Sequence, residues 1–173
     1  MTNKSSASTN QTLKRAFFLH FVDGAPKGIH LTVLGQVAAP AGIDFQSLTT
    51  VLGSLKDESP ITLDYGNIEQ FGLNGQFKAL TLNDSTNKMK AIHQKLADSV
   101  ISLGFELVQP QFSGENYNPH LTLSNTGINS AEELVGLGIP AITVGKIALM
   151  ESTFDSEGRF VSSIELGSVE LNG

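Results

Sequence analysis

The sequence predicts an α+β fold built on antiparallel strands, and three observations carry that prediction. Apolar or alternating segments are mostly separated by tight turns, Asp23-Gly24, Asn74-Gly75 and residues 155–158. Such turns join antiparallel neighbours, whereas parallel strands need long crossovers. Helical periodicity interrupts the strands without alternating regularly with them. No Gly-x-Gly-x-x-Gly or P-loop follows a strand, so the doubly wound nucleotide-binding architecture is disfavoured.

The elements follow in order. Residues 13–22, LKRAFFLHFV, are apolar and aromatic enough for a buried strand. A turn at 23–26 leads to a second strand over 29–34, ended by Gly35, and a loop over 36–42 containing Pro40. Asp44 suits a helix N-cap, with Phe45, Leu48, Val51, Leu52 and Leu55 on one face. Strands are expected at 60–65, 68–73 and 76–82. The strongest helix starts near Ser85 or Thr86. Its Met89, Ile92, Leu96, Val100 and Leu103 recur at three- and four-residue steps, and Gly104 stands where a C′ glycine belongs. A short strand at 105–108, a polar loop at 109–119 and a strand at 120–124 follow. Ser130 caps a short helix, and segments 141–152 and 159–166 close the chain as a hairpin. The polar stretch 1–12 reads as a flexible lead-in with no hydrophobic signal segment, before one domain over 13–173.

Composition narrows the function. Apolar residues make up 40% and charged residues 16%, an ordinary globular balance. No run approaches the length of a membrane span. There is no cysteine, which removes disulfides, thiolate metal sites and a cysteine nucleophile, and agrees with a cytoplasmic location. The net charge is −6, and the 11 Lys and Arg are scattered. Long duplex nucleic acid is a poor partner for such a surface. A small nucleotide or a strand end needs only local donors.

Two of the four histidines stand in one repeated phrase: His30-Leu31-Thr32-Val33 and His120-Leu121-Thr122-Leu123. On a strand, positions i and i+2 share a face. His30 and Thr32 therefore point one way and Leu31 and Val33 the other, and the second copy repeats the pattern. One copy alone reads equally well as the polar face of an antiparallel strand. Two copies, one in each half, point to a built site. An imidazole with an ordinary pKa near 6.5 is available in both protonation states near neutrality. One histidine can take a proton from a nucleophile while the other gives one to a leaving oxygen. The threonine hydroxyls can donate to phosphate oxygens. His20 reads as a hydrogen-bonded sheet residue and His93 as part of a solvated helix face. Tyr117, in the loop entering the second phrase, is a candidate to stack on a base. Asn118 is expected to brace that loop, which Pro119 restricts toward extended geometry. Tyr65 and Phe112 read as core.

These residues resemble the two-histidine (2H) phosphoesterase superfamily, which includes 2′-5′ RNA ligase-like proteins and cyclic phosphodiesterases. The likeness rests on HLTV at 30–33 and on HLTL at 120–123 preceded by YNP. It extends to the order of the flanking strands, the long helix after FKALTL and the closing hairpin, over about residues 13–167. It implies a bilobal α+β domain, with two antiparallel-rich sheets and flanking helices around a central cleft. It also implies metal-independent chemistry without a cofactor, on a 2′,3′-cyclic phosphate, a 2′-5′ linkage or a cyclic oligonucleotide. His30 and His120 would be the acid/base pair and Thr32 and Thr122 the phosphate-binding hydroxyls; Tyr117 and Asn118 are expected toward the substrate from their place in the loop alone. The sequence does not divide the acid and base roles between the histidines. One departure stands out. Many members carry a helix between the first strand and the first phrase, whereas only residues 23–28 lie there, as in compact viral members that cleave cyclic nucleotide messengers. The expected protein is a cytoplasmic, monomeric phosphodiesterase acting on a small nucleotide, cyclic oligonucleotide or RNA end. The alternative is a module that sequesters the same ligand without turnover.

Overall fold

The computed structural model describes residues 12–26, 28–71 and 74–173. The lead-in expected over 1–12 lies outside them, apart from Thr12. Among these described residues, nine strands and three short or medium helices alternate irregularly. They are β1 (Leu13–Phe21), β2 (His30–Ala38), α1 (Thr49–Gly53), β3 (Ile61–Phe71), β4 (Phe77–Asn83) and α2 (Lys88–Ser102), then β5 (Glu106–Leu107), β6 (His120–Thr122), α3 (Ala131–Gly136), β7 (Ile142–Val144), β8 (Lys146–Phe154) and β9 (Phe160–Glu170). The α+β class and the antiparallel pairing hold throughout. The two expected sheets, however, are one hydrogen-bonded path, β7-β3-β4-β6-β2-β1-β8-β9, with β5 added beside β2. The short strand β6 makes them continuous, because it pairs with β4 on one edge and with β2 on the other.

Several boundaries move for identifiable reasons. β2 does not stop at Gly35. It absorbs a register shift against β1, with Gln36 at φ 50°, and continues so that Val37 and Ala38 pair with β5. The two strands expected at 60–65 and 68–73 are one bulged strand, β3. Gly66 sits at the bulge because its backbone lies against Thr81, where a Cβ would collide with the Thr81 hydroxyl. That hydroxyl instead accepts from Asn67 N (2.8 Å) and donates to Asn67 O (3.1 Å). The helix expected after Asp44 is a 3₁₀ turn, Phe45–Leu48, capped by the Asp44 carboxylate, followed by the five-residue α1. The closing segment 141–152 breaks at Gly145 into β7 and β8.

The core lies between the sheet and the helices. Met89, Ile92, Leu96 and Val100 of α2 are at most 3% exposed, and they pack in one cluster with Leu31, Val33, Leu80 and Leu121 of the central strands. Burying each such side chain contributes about 1.5–3 kcal/mol. The central strands are therefore anchored from one face, which leaves their other face for the histidines and threonines.

Candidate active site

The two halves of the sheet meet at one residue pair, Leu31 of β2 opposite Leu121 of β6. Both leucines are 0% exposed, as is Val33, and Leu123 is 2% exposed. The apolar members of the two phrases thus lock the strands to the core. With antiparallel register about that pair, His30 stands across from Thr122 and Thr32 across from His120. All four polar side chains fall on the same face, opposite the leucines, and all four are half-buried. The structure brings the two phrases together with approximate twofold symmetry.

The symmetry extends to the ring nitrogens. His30 Nδ1 lies 2.8 Å from the carbonyl of Gly28, and His120 Nδ1 lies 2.8 Å from the carbonyl of Asn118. A carbonyl only accepts, so in both rings Nδ1 carries the proton and donates. Nε2 of each ring is left as the exchangeable position. Asn118 therefore acts here through its main chain, while its side chain is exposed. Gly28 has φ 100°, a left-handed geometry that glycine adopts without cost, and this geometry places its carbonyl beneath His30.

The histidines differ in their surroundings. Burial lowers the pKa of His120. The bond to Asn118 O and the nearby Glu69 oppose that shift, and His30 adds to it. The His120 ring is stacked on Phe71, with centroids 4.3 Å apart and planes 25° apart. The His30 ring meets Phe21 edge-on at 6.1 Å. The sequence reading missed both phenylalanines. They lie at strand ends on β3 and β1, and only the sheet register brings them to the histidines.

Tyr117 occupies a joint between the two phrases. Its ring stacks on His93 (4.0 Å, 11°) and its hydroxyl donates to the carbonyl of Thr32 (3.2 Å). One ring face is thus covered by His93. Burial pushes the phenol up, so it remains a donor. His93, expected on a solvated helix face, is 2% exposed. Its Nδ1 donates to the carbonyl of Val33 (2.7 Å) and its Nε2 is buried without a hydrogen-bond partner. The helix stripe is wider than the three-four pattern suggested, because α2 packs against β2 and brings His93 to the carbonyl of Val33. His20 is a sheet residue as expected, 6% exposed, with Nδ1 donating to Lys146 O at 2.9 Å. Tyr65 packs against the core and donates to Ile139 O at 2.8 Å, whereas Phe112 is 49% exposed. A hollow of about 640 Å³ between Leu13, Phe45, Glu151 and Leu166 includes none of the four phrase residues. Among the described residues no cluster of three His, Asp or Glu is placed to hold a metal ion, and no helix is long and apolar enough to cross a membrane.

The fold matches that of solved structures of E. coli LigT, and in this chain a His-x-Thr from each half lies on one face. Among solved structures the chain is similar to E. coli LigT complexed with 3′-AMP. The TM-score is 0.58 at 19% identity, covering 92% of this chain and 99% of that one. E. coli LigT complexed with phosphate gives a TM-score of 0.57 at 17% identity, covering 92% and 98%. A further structure described as a phosphoesterase gives 0.55 at 18% identity, covering 92% and 99%. No protein-family model matches the sequence. No curated protein matches it either.

Proposed function

We propose that this chain is a metal-independent 2H-type phosphodiesterase acting on a nucleotide or RNA phosphate, as a cytoplasmic monomer. The observation that carries the reading is the single Leu31–Leu121 pair. It sets two imidazoles, each with Nδ1 tied to a carbonyl, and two hydroxyls around one space. The solved structures of E. coli LigT with phosphate and with 3′-AMP support a nucleotide phosphate as the ligand class.

In this mechanism the phosphorus sits between the two Nε2 atoms. His120 serves as the base, since burial against Phe71 favours its neutral form. Its Nε2 takes the proton from water or from the substrate's own 2′-hydroxyl as that oxygen attacks phosphorus. His30 gives its Nε2 proton to the leaving oxygen. Thr32 and Thr122 donate to the non-bridging oxygens, where charge grows. A proton on His30 disfavours a second on His120. The active form is therefore the singly protonated pair, and activity should follow a bell-shaped pH profile.

The test is turnover, followed by mass spectrometry in EDTA, of 2′,3′-cyclic mononucleotides, 2′-5′ and 3′-5′ dinucleotides and cyclic oligonucleotides. Activity that survives EDTA and disappears in both His30→Ala and His120→Ala establishes the reading. Tight binding without turnover moves the protein to the sequestering class. Activity retained in either variant removes the histidines from the chemistry.

A further inference from the structure

We propose that the histidine face holds a nucleobase on each side of the phosphate. Its substrate is then a phosphodiester joining two nucleosides, linear or cyclic, rather than a mononucleotide cyclic phosphate. This rests on the phosphodiesterase reading above and narrows its substrate.

The argument starts from strand alternation. Directly opposed residues on neighbouring strands share a face, as do i and i+2 along one strand. His30 is opposite Phe21 on β1, so Phe21 and Phe17 lie on the histidine face. Thr122 is opposite Ala79 on β4, which is opposite Glu69 on β3. Phe71, two residues after Glu69, and its partner Phe77 therefore lie on that face too. The contacts agree. Phe71 stacks on His120, Phe21 meets His30, and a Cβ placed on Gly35 would touch both Thr32 and the Phe17 ring. Phenyl rings thus stand on both flanks of the four polar residues. They are about one or two strand spacings, ~5–10 Å, from the nearer histidine, which is the reach of a nucleoside from its own phosphate.

These rings are also available. Phe21 is 44% exposed and Phe77 is 45% exposed. The core uses other phenylalanines, Phe18, Phe45 and Phe105. A single exposed aromatic residue needs no explanation. Rings grouped on the one face that carries four convergent polar groups form an apolar binding surface around a polar centre. Charge points the same way. Alternation puts only Arg15 and Lys146, of the described basic strand residues, on this face, and the Arg15 guanidinium donates to the Lys14 carbonyl. Among the described strand residues, this face lacks the cations that a polyphosphate or a long strand demands. Stacking must supply the affinity, and stacking requires bases.

The test compares adenylyl-adenosine diesters, 2′-5′, 3′-5′ and cyclic, with adenosine phosphate methyl ester, in which the second nucleoside is replaced by methyl. Turnover and equilibrium binding are measured for the wild type, Phe21→Leu and Phe77→Leu. Stacking is worth about 1–3 kcal/mol per base, so kcat/KM for a two-base diester should exceed that of the methyl ester by roughly 5- to 150-fold. Each variant should shrink that ratio by a similar factor. The ratio is read within one protein preparation, so a partly misfolded variant does not mimic the result. Equal kcat/KM for one-base and two-base diesters, or ratios unchanged in both variants, overturns the proposal and leaves the phosphodiesterase reading standing. Tight two-base binding that weakens in the variants, with no turnover of any compound, supports the two base sites and overturns the chemistry. Neither binding nor turnover overturns both.

Discussion

Replacing Tyr117 first by phenylalanine and then by leucine separates a brace from a base platform. Tyr117→Phe keeps the ring on His93 and removes only the hydrogen bond to the Thr32 carbonyl. The net loss should be about 0.5–1.5 kcal/mol of folding stability. Tyr117→Leu also removes a parallel ring pair at 4.0 Å, which adds about 0.5–1.5 kcal/mol beyond the buried area. The two variants should therefore step down in urea midpoint, with Leu below Phe. The consequence for turnover follows from position. The tyrosine holds Thr32 of the first phrase by its hydroxyl, and its own chain enters His120 of the second three residues later. Slack at this joint moves a threonine and a histidine relative to each other, and a misplacement of about 1 Å costs roughly 100-fold in rate. Tyr117→Leu should lower kcat by roughly 10- to 100-fold with little change in KM, and Tyr117→Phe by less. Urea denaturation and steady-state kinetics on the best substrate read both quantities. If Tyr117 is instead a stacking platform, Phe behaves as wild type in both assays, and Leu raises KM without loss of stability. That pattern would refute the brace.

Three further outcomes are expected. Thr32→Val and Thr122→Val keep volume and remove the hydroxyl donors; each should lower kcat by roughly 10²–10³-fold with the fold intact, which circular dichroism and kinetics check together. Gly28→Ala forces a side chain onto φ 100° in open space. The strain costs about 1–3 kcal/mol, and activity should fall further than stability alone explains because the carbonyl under His30 moves. Gly53→Ala, in a helix with open space around it, is the neutral-to-stabilising control. Burial holds His20, His93 and His120 below the ordinary value of 6.5. Below that value the unfolded chain binds more protons than the folded one. Their contribution to stability is therefore complete above about pH 6.5 and is lost as the pH falls through the lowered folded-state values. A urea midpoint that stays constant between about pH 7.5 and 5 would contradict this sign.

The parts of the site legible in the sequence are those set by local periodicity. A His-x-Thr on a strand shows its two polar residues on one face without any knowledge of neighbours, and the buried Leu31, Val33, Leu121 and Leu123 bear this out. What escaped the reading depends on register. Nothing within the span of either phrase specifies that Leu31 opposes Leu121, yet that pair alone turns two separate His-Thr edges into one centre and fuses two expected sheets into one. Register also brings Phe71 to His120 and Phe21 to His30. His93 was misplaced for a related reason. Its position in the helix marks it as the edge of the apolar stripe, and only the packing of α2 against β2 makes the carbonyl of Val33 its partner. The carbonyls under the two histidines were invisible in another way, since a main-chain acceptor leaves no residue type to read. Gly28 at φ 100° supplies one and Asn118, ahead of a proline, supplies the other, through different local geometries that reach the same 2.8 Å bond. Two unlike loops that converge on one ring orientation identify that orientation, with Nδ1 held and Nε2 free, as the feature the fold is built to fix.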